Sequence, residues 1–407
     1  MTTDWQQTTL GDVVSFKGGG TPSTENVAYW NGDIPWISPK DMKSSKIEDS
    51  IDKITPEAIE NSAASLIPQD AILIVVRSGI LARTIPIGIT TRPLAVNQDI
   101  KALCSNGGLD PRFLHYFMQM AEPDILKLVT RGATVHRLST DSLKALKLPK
   151  PPLPEQRRIV TILNEAFVGL AAATANAEKN LSNARELFES YLNSIFAGED
   201  ESGTEVSMEE VCAISSKLVD PREAVYIDLP HVGAGNMSSR TGELSGIKTA
   251  REEGLKSGKF LFDKTMVLYS KIRPYLMKAC RPEIKGLCSA DVYPLAPDPA
   301  QLDRNFLFHL LMSKDFTDFA ISGSDRAGMP KVNREHLFKY RFKLPGIDEQ
   351  AKLAIKLDAI SADVNSLEAF YNRRLTDIAD LKHSILKKAF AGELTSPPTQ
   401  AFKEAAE

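Results

Sequence analysis

The sequence predicts an α+β protein: two mixed α/β globules separated by two long helices that form an antiparallel coiled coil, related by an internal repeat of pseudo-two-fold character. Three observations carry that prediction. The segment Pro149-Lys-Pro-Pro-Leu-Pro154-Glu155-Gln156 opens a proline-free stretch that closes on Phe196-Ala197-Gly198-Glu199. The same punctuation returns 194 positions later, as Pro345-Gly-Ile-Asp-Glu349-Gln350 and Phe390-Ala391-Gly392-Glu393. In both copies the intervening apolar residues recur at alternating steps of three and four, the spacing that keeps two helices in contact along a seam.

The first stripe is Ile159, Leu163, Ala166, Leu170, Ala173, Ala177, Leu181, Ala184, Phe188, Tyr191 and Ile195. The second is Leu353, Leu357, Ile360, Val364, Leu367, Tyr371, Leu375, Ile378, Ile385 and Ala389, with Lys382 the one departure and Leu381 beside it. Both contain two consecutive steps of four, at Ala173-Ala177-Leu181 and Leu367-Tyr371-Leu375, a stutter that locally unwinds a supercoil. A shared stutter indicates duplicated helices that pair with each other. At ~1.5 Å per residue each is ~60 Å long. The implied layout is a globule at 1–150, a helix at 151–199, a second globule at 204–345, a second helix at 346–394 and a weakly ordered tail at 395–407.

Within 1–150, Thr8–Phe16 reads as a short strand or helix start. Lys17-Gly-Gly-Gly20-Thr-Pro22 reads as a mobile or turning loop, because glycines carry no packing and admit positive φ. No GK[ST] follows it, so it is not a phosphate-binding loop. Gly32–Lys40 alternates apolar and polar residues as a half-exposed strand does. Ala71–Val76 is a buried strand ending in Arg77-Ser78-Gly79, and Asp110-Pro111 supplies the cap and first residue of a helix.

Residues 204–345 repeat this plan faintly. Asp263–Arg273 matches Asp70–Arg77, again a strand discharging into basic residues. Asp303–Met312 matches the helix at Asp110, with Phe306 against Phe113. Before each long helix, Arg131–Leu138 corresponds to Asp325–Val332, Leu143 to Leu337 and Leu148 to Phe342.

The 407 residues allow two or three cores, and 43% hydrophobic with 25% charged residues is ordinary for a soluble protein. The start Met-Thr-Thr-Asp-Trp lacks a signal peptide, and no run of about 18 apolar residues is seen, so a cytoplasmic protein with no membrane association is expected. Cys104, Cys212, Cys280 and Cys288 form no CxxC pair and read as reduced, buried hydrophobes. The net charge of −3 excludes a uniformly basic coat but not local basic surfaces, and residues 239–285 hold eleven Lys/Arg against five Asp/Glu.

Two diverged globules held by a rigid helix pair make a ruler, and its most economical ligand is double-stranded DNA read at two half-sites across an unread gap. The entry Pro151-Pro-Leu-Pro-Glu-Gln-Arg-Arg-Ile-Val160, its echo Pro345–Ile355, the Phe-Ala-Gly-Glu endings, and the segments Trp36-Ile-Ser-Pro-Lys-Asp-Met42 and Val96-Asn97-Gln98-Asp99 resemble the specificity subunit of type I restriction-modification systems, over nearly the whole chain. The second copy departs in having Gly346-Ile347-Asp348 where the first has Pro152-Leu153-Pro154. The resemblance implies two target recognition domains reading the halves of an interrupted site. It also implies assembly with modification (methyltransferase) subunits, two in number, and with restriction/translocase subunits. No cofactor is expected on this chain; S-adenosylmethionine would belong to the methyltransferase subunits, and ATP and Mg to the restriction subunits.

The candidate DNA contacts are Lys17, Lys40, Arg77, Arg83, Arg131, Thr134, His136 and Arg137 in the first globule and Lys271, Arg273, Arg326 and Lys331 in the second. Each is alternatively a solvated surface group. Asn97 and Gln98 either read adenine or cap a turn before the strand at Ile100. Trp36 is a core anchor or a stacking wedge. On the helices, Arg157, Arg158, Glu178, Lys179, Arg373, Arg374 and Lys382 either face water or meet the methyltransferase subunits.

Catalysis is not expected. No Asn/Asp-Pro-Pro-aromatic tetrapeptide holds a flipped base, no GxGxxG marks a cofactor loop, and Glu283-Ile-Lys285 lacks a partner Asp for a metal nuclease. The six histidines have no metal-ligand spacing. The alternative to DNA reading is a non-catalytic scaffold whose globules bind protein.

Overall fold

In the computed structural model, residues 5–196, 203–214, 218–324 and 330–395 are described. Arg326, the first Ala-Gly-Glu helix ending and the tail beyond Thr395 lie outside them. The chain divides into two compact units, Met1–Asn176 with Arg374–Glu407, and Ala177–Arg373. Each holds one globule and part of both long helices, and the architecture is α+β.

In the first globule a five-stranded sheet runs in the order Val14–Gly18, Ile100–Ser105, Ile72–Val75, Ile87–Thr90, Lys46–Ile47. A four-stranded sheet has the order Lys53–Ile54, Trp30–Ile37, Leu94–Val96, Leu66–Ile67, with its central pair parallel. Ile72, Leu73, Ile74 and Val75 are all fully buried, as an uninterrupted β-branched and aliphatic run predicts. Against this sheet packs the helix Pro111–Lys127, whose first N–H groups at Arg112 and Phe113 are accepted by the Asp110 carboxylate. The globule closes where Gln6–Thr9 pairs with Lys147–Lys150.

The second globule repeats the plan strand for strand. Cys212–Ile214, Val292–Pro297, Val267–Ser270 and Ala279–Cys280 follow the order of the first sheet. Lys248–Thr249, Pro230–Val232, Gly286–Cys288 and Lys259–Phe262 follow that of the second, again with a parallel central pair. The difference is one marginal strand, which extends the first sheet in one globule and, as Leu218–Val219, the second sheet in the other. Asp303 caps Arg304–Leu311 as Asp110 caps its counterpart, but here the helix breaks at Ser313, which caps a separate helix Lys314–Ser322. Thr204–Ser207 pairs with Arg341–Leu344 to close this globule.

The long helices run over Leu153–Phe196 and Ile347–Phe390, 44 residues each. Every position of the first stripe is buried or half-buried, while the residues between are mostly exposed. Within the first unit Arg158 reaches the carbonyl of Thr395 (3.4 Å) and Phe167 lies under the Lys382 amine (5.1 Å to the ring centroid). Within the second, Arg185 pairs with Glu368 and Lys356 lies over Tyr191 at 4.9 Å. As numbers rise on one helix they fall on the other, so the pairing is antiparallel in both units. The second helix ends in a Schellman motif: Gly392 has φ 77°, its N–H donates to Ala389 O, and the Glu393 N–H donates to Lys388 O.

Three expectations are corrected. The glycines at 18–20 do not form an unpacked loop: Gly18 ends a strand, and none of the three has positive φ among the described residues. A Cβ at Gly19 would stand 1.8 Å from Val96 O, and one at Gly20 would stand 2.6 Å from Ala63 Cβ, so close packing requires them. The strand through Trp36 alternates only as far as Ile34, because Pro35, Trp36 and Ile37, and Ser38 after it, are all buried. Trp36 is the core anchor, donating from Nε1 to Gly20 O at 3.0 Å. The expected absence of any candidate span also fails: Leu153–Phe196 contains an 18-residue window of mean hydropathy 1.4 and is, by length and composition, apolar enough to cross a membrane.

Candidate nucleic-acid interface

In each globule the strand buried at the sheet centre emerges beside the turn that follows the strand at Val96 or Cys288. In the first, the backbone N–H groups of Val76 and Arg77 both donate to Asp99 O, at 2.8 and 3.3 Å. The Asp99 carboxylate accepts from Arg77 Nε and from Asn97 Nδ2 (3.1 Å), and the Asp99 N–H donates to Asn97 Oδ1 (3.0 Å). His136–Arg137 pairs antiparallel with Arg77–Ser78, placing Arg137 opposite Arg77. The result is a cleft of about 470 Å³ lined by Pro39, Arg77, Ser78, Gly79, Asp99, Val135 and Arg137.

The second globule repeats the backbone frame but places its cations differently, Lys331 at the register of Arg137 and Lys271 at that of Val76, with Ile272 standing where Arg77 does. The Lys271 N–H donates to Asp291 O at 3.0 Å, and Ser289 stands where Asn97 does, its N–H on Val232 O as that of Asn97 is on Ile37 O. Lys331 Nζ lies 3.2 Å and Lys271 Nζ 4.0 Å from Asp291 Oδ1, and the Lys271 amine sits 5.2 Å over the Tyr293 ring. Ile272 bridges Lys331 antiparallel, the counterpart of the Arg77–Arg137 pairing. Next to it Arg273 is held at φ 51° with its N–H on Pro330 O, and its side chain is exposed.

The remaining candidates are dispersed. Lys17 is exposed on its strand opposite Ala102, and Arg83 is exposed at the end of the turn Gly79–Ala82. Arg131 and Thr134 are exposed, and His136 is half-buried with Nδ1 accepting the Gly132 N–H at 3.3 Å. Lys40 is ion-paired with Asp52 at 2.7 Å. Asn97 is a correction: its side chain is only 6% exposed and caps the turn at Asp99, so it cannot reach a base edge. Gln98 is exposed, with Oε1 accepting from Thr21 Oγ1 at 2.7 Å. Of the eleven basic residues at 239–285, four are ion-paired: Arg240 with Glu189, Arg251 with Asp228, Lys271 with Asp291 and Arg281 with Asp358. Glu283 pairs with Arg304 at 3.0 Å, which accounts for it without a metal. Sequence reasoning missed Asp99 and Asp291; overlaying Val96–Asp99 on Cys288–Asp291 in the repeat register would have found both.

The sequence model described as the type I restriction modification DNA specificity domain matches residues 2–178 and 201–381. The chain is 34% identical over 196 residues to the EcoR124I/EcoR124II specificity subunit of Escherichia coli, covering 48% of each chain. It is 35% identical over 188 residues to the EcoDI specificity subunit of Escherichia coli, covering 46% of this chain and 41% of the relative. The alignments thus span about half the length of these curated relatives. A longer match, at 22% identity, covers 96% of this chain and 93% of the MjaVIII specificity subunit of Methanocaldococcus jannaschii. Among solved structures, a chain from a study of assembly and conformational transition of the type I R-M system superposes with TM-score 0.75 at 17% identity, covering 97% of this chain and 99% of that one. The HsdS subunit from Thermoanaerobacter tengcongensis superposes with TM-score 0.52 at 19% identity, covering 96% and 97%.

Proposed function

Because the chain belongs to the type I restriction modification DNA specificity domain family, we propose that it is the sequence-reading subunit of a type I restriction-modification complex. Each globule reads one half of an interrupted duplex site, and the helix pair fixes the gap. The observation that carries this is the recurrence of an aspartate at a strand end in both globules, ion-paired with Arg77 in the first and with Lys271 and Lys331 in the second. A duplicated reader suits a bipartite target.

The helix pair docks the modification subunits, two in the proposed assembly, and restriction/translocase subunits join that complex. Its outward residues fit a protein-binding role: Val168, Leu187, Ile355 and Phe370 are each more than half exposed, and Arg157, Lys179 and Arg373 are exposed on the same helices. The chain itself is non-catalytic and carries no cofactor; S-adenosylmethionine belongs to the modification subunits, and ATP and Mg to the restriction subunits. The complex acts in the cytoplasm on chromosomal or entering DNA.

The test is methylation of a randomised duplex pool by the modification subunits with and without this chain. A methylated sequence that depends on the chain, and changes in one half when residues 1–150 are exchanged for those of a relative, is the expected result. Binding through phosphates weakens steeply with salt. A flat salt response with no sequence dependence would reassign the chain as a protein scaffold.

A further inference from the structure

Arg77 and Asp99 form an ion pair that a phosphate-binding surface has no use for. A carboxylate on the guanidinium cancels the charge that attracts a phosphate. It does something else well. Asp99 is fixed by its own carbonyl, its N–H and Asn97, and it takes the Nε–H of Arg77. Among the described residues no hydrogen bond occupies the two terminal amino groups of the guanidinium, and the side chain is 42% exposed where it lines the cleft with Arg137. That fork matches the O6 and N7 acceptors of guanine in the major groove. In the second globule two ammonium groups flank Asp291, and lysine donors likewise match guanine acceptors.

Resting on the specificity-subunit reading above, we infer that Arg77 in the first globule and Lys271 with Lys331 in the second are base-reading contacts to guanine, and that Asp99 and Asp291 are the positioning residues that aim them. The cleft walls agree with a base edge as occupant. Pro39 and the 44% exposed Val135 offer apolar contact of the kind a thymine methyl takes, and Gly79 adds no side chain to the lining. The cleft also explains the divergence of the two readers. Arginine with one aspartate gives a directional fork, whereas two lysines on one aspartate give two point donors.

The experiment uses the full chain with its modification subunits and selects bound duplexes from a pool randomised at both half-sites. Asp99→Asn should lower the preference for guanine by about tenfold or more at one position of one half-site, leave the other half within twofold, and leave or raise affinity for random duplex. Arg77→Ala should relax the same position, Asp99→Glu should restore part of the preference, and Asp291→Asn should act on the opposite half only. The untouched half reports that the variant is folded. An equal loss of affinity for every duplex with the bipartite preference intact would overturn the inference and leave the specificity-subunit reading standing. Loss of both halves by Asp99→Asn, unrelieved by Asp99→Glu, would make Asp99 structural and likewise overturn it. If the unsubstituted chain enriches no bipartite sequence, the proposed function itself fails and this inference with it.

Discussion

Gln156 accepts the backbone N–H of Asp110 on its Oε1 at 2.8 Å, tying the start of the first long helix to the cap of the globule helix. Its Nε2 donates to Gly108 O at 3.0 Å and Pro151 O at 2.8 Å, and the side chain is fully buried. Gln350 repeats the arrangement on Asp303, Gln301 and Pro345, all at 2.8 Å, and is equally buried. The Glu-Gln of the helix entry is therefore a latch made of one side chain and three backbone groups. Gln156→Leu keeps the volume and removes the partner of three backbone groups, the Pro151 carbonyl buried and the other two part-buried, at about 1–3 kcal/mol for each one left unpaired away from water. The expected loss is several kcal/mol in the first unit, read as faster amide exchange at Asp110 and Arg112 than at Asp303. Gln350→Leu should reverse that pattern, and equal exchange in both units would show that the latch carries no local stability.

Phe390 ends the second long helix yet packs in the first unit, 4.9 Å from the Phe113 ring and 5.6 Å from Phe117. Phe196 ends the first helix and packs 5.1 Å from Phe306 in the second unit. Each globule is thus closed by the helix that follows the other globule. Phe390→Ala removes a buried ring at a cost of roughly 3–5 kcal/mol. Limited proteolysis should then cut within residues 5–150 before residues 218–324, and the opposite order would refute the assignment.

The Gly19 position makes a sharper test of packing. Its Cβ would overlap Val96 O, whereas a Cβ at Gly107 would meet nothing within 4 Å. Gly19→Ala should cost several kcal/mol or prevent folding of the first unit, because overpacking against backbone cannot relax as a side chain does. Gly107→Ala should stay within about 0.5 kcal/mol of the parent. Comparable melting temperatures for the two would return the glycines to a role in chain flexibility.

These cases show where the sequence was legible. The helix pair was, because a stripe at steps of three and four survives in local order and needs no tertiary context: Ile159 and Leu163 came out fully buried and Ala177 nearly so. The repeat could be traced through Phe113 and Phe306, Leu143 and Leu337, and Leu148 and Phe342, all of them core residues. The site was legible only in part. Basic residues at strand ends were visible, but Asp99 and Asp291, which organise them, are acids, and a search for DNA contacts passes over acids. Asn97 looked like a base reader because its side chain suits adenine, and only burial reveals that its amide is already spent on the turn. The glycines misled for a similar reason: sequence reports that a Cβ is absent and not whether φ or a neighbour demands it.

His115 lies on the globule helix at 7% exposure, with Nε2 2.9 Å from Gln119 Nε2. Burial, with the Lys382 charge nearby, brings its pKa down from 6.5 to about 4, so the folded protein keeps it neutral where the unfolded chain takes up a proton. The sign follows from that difference. Between pH about 6.5 and about 4 the unfolded state binds one more proton at this residue, so stability falls as pH falls, by ~1.4 kcal/mol per pH unit and about 3 kcal/mol in all. Above pH 7 the group contributes no slope. His309 in the second unit is also lowered, by burial first and against the pull of Asp358, so it adds a loss of the same sign there. His115→Gln removes the titration at one site only. Urea midpoints taken at pH 7.5, 6 and 5 should therefore diverge, the parent losing about 2 kcal/mol more than the variant between the first pH and the last. Parallel loss in the two proteins would mean that His115 is already charged in the folded state, and that its burial beside Lys382 is not what sets its protonation.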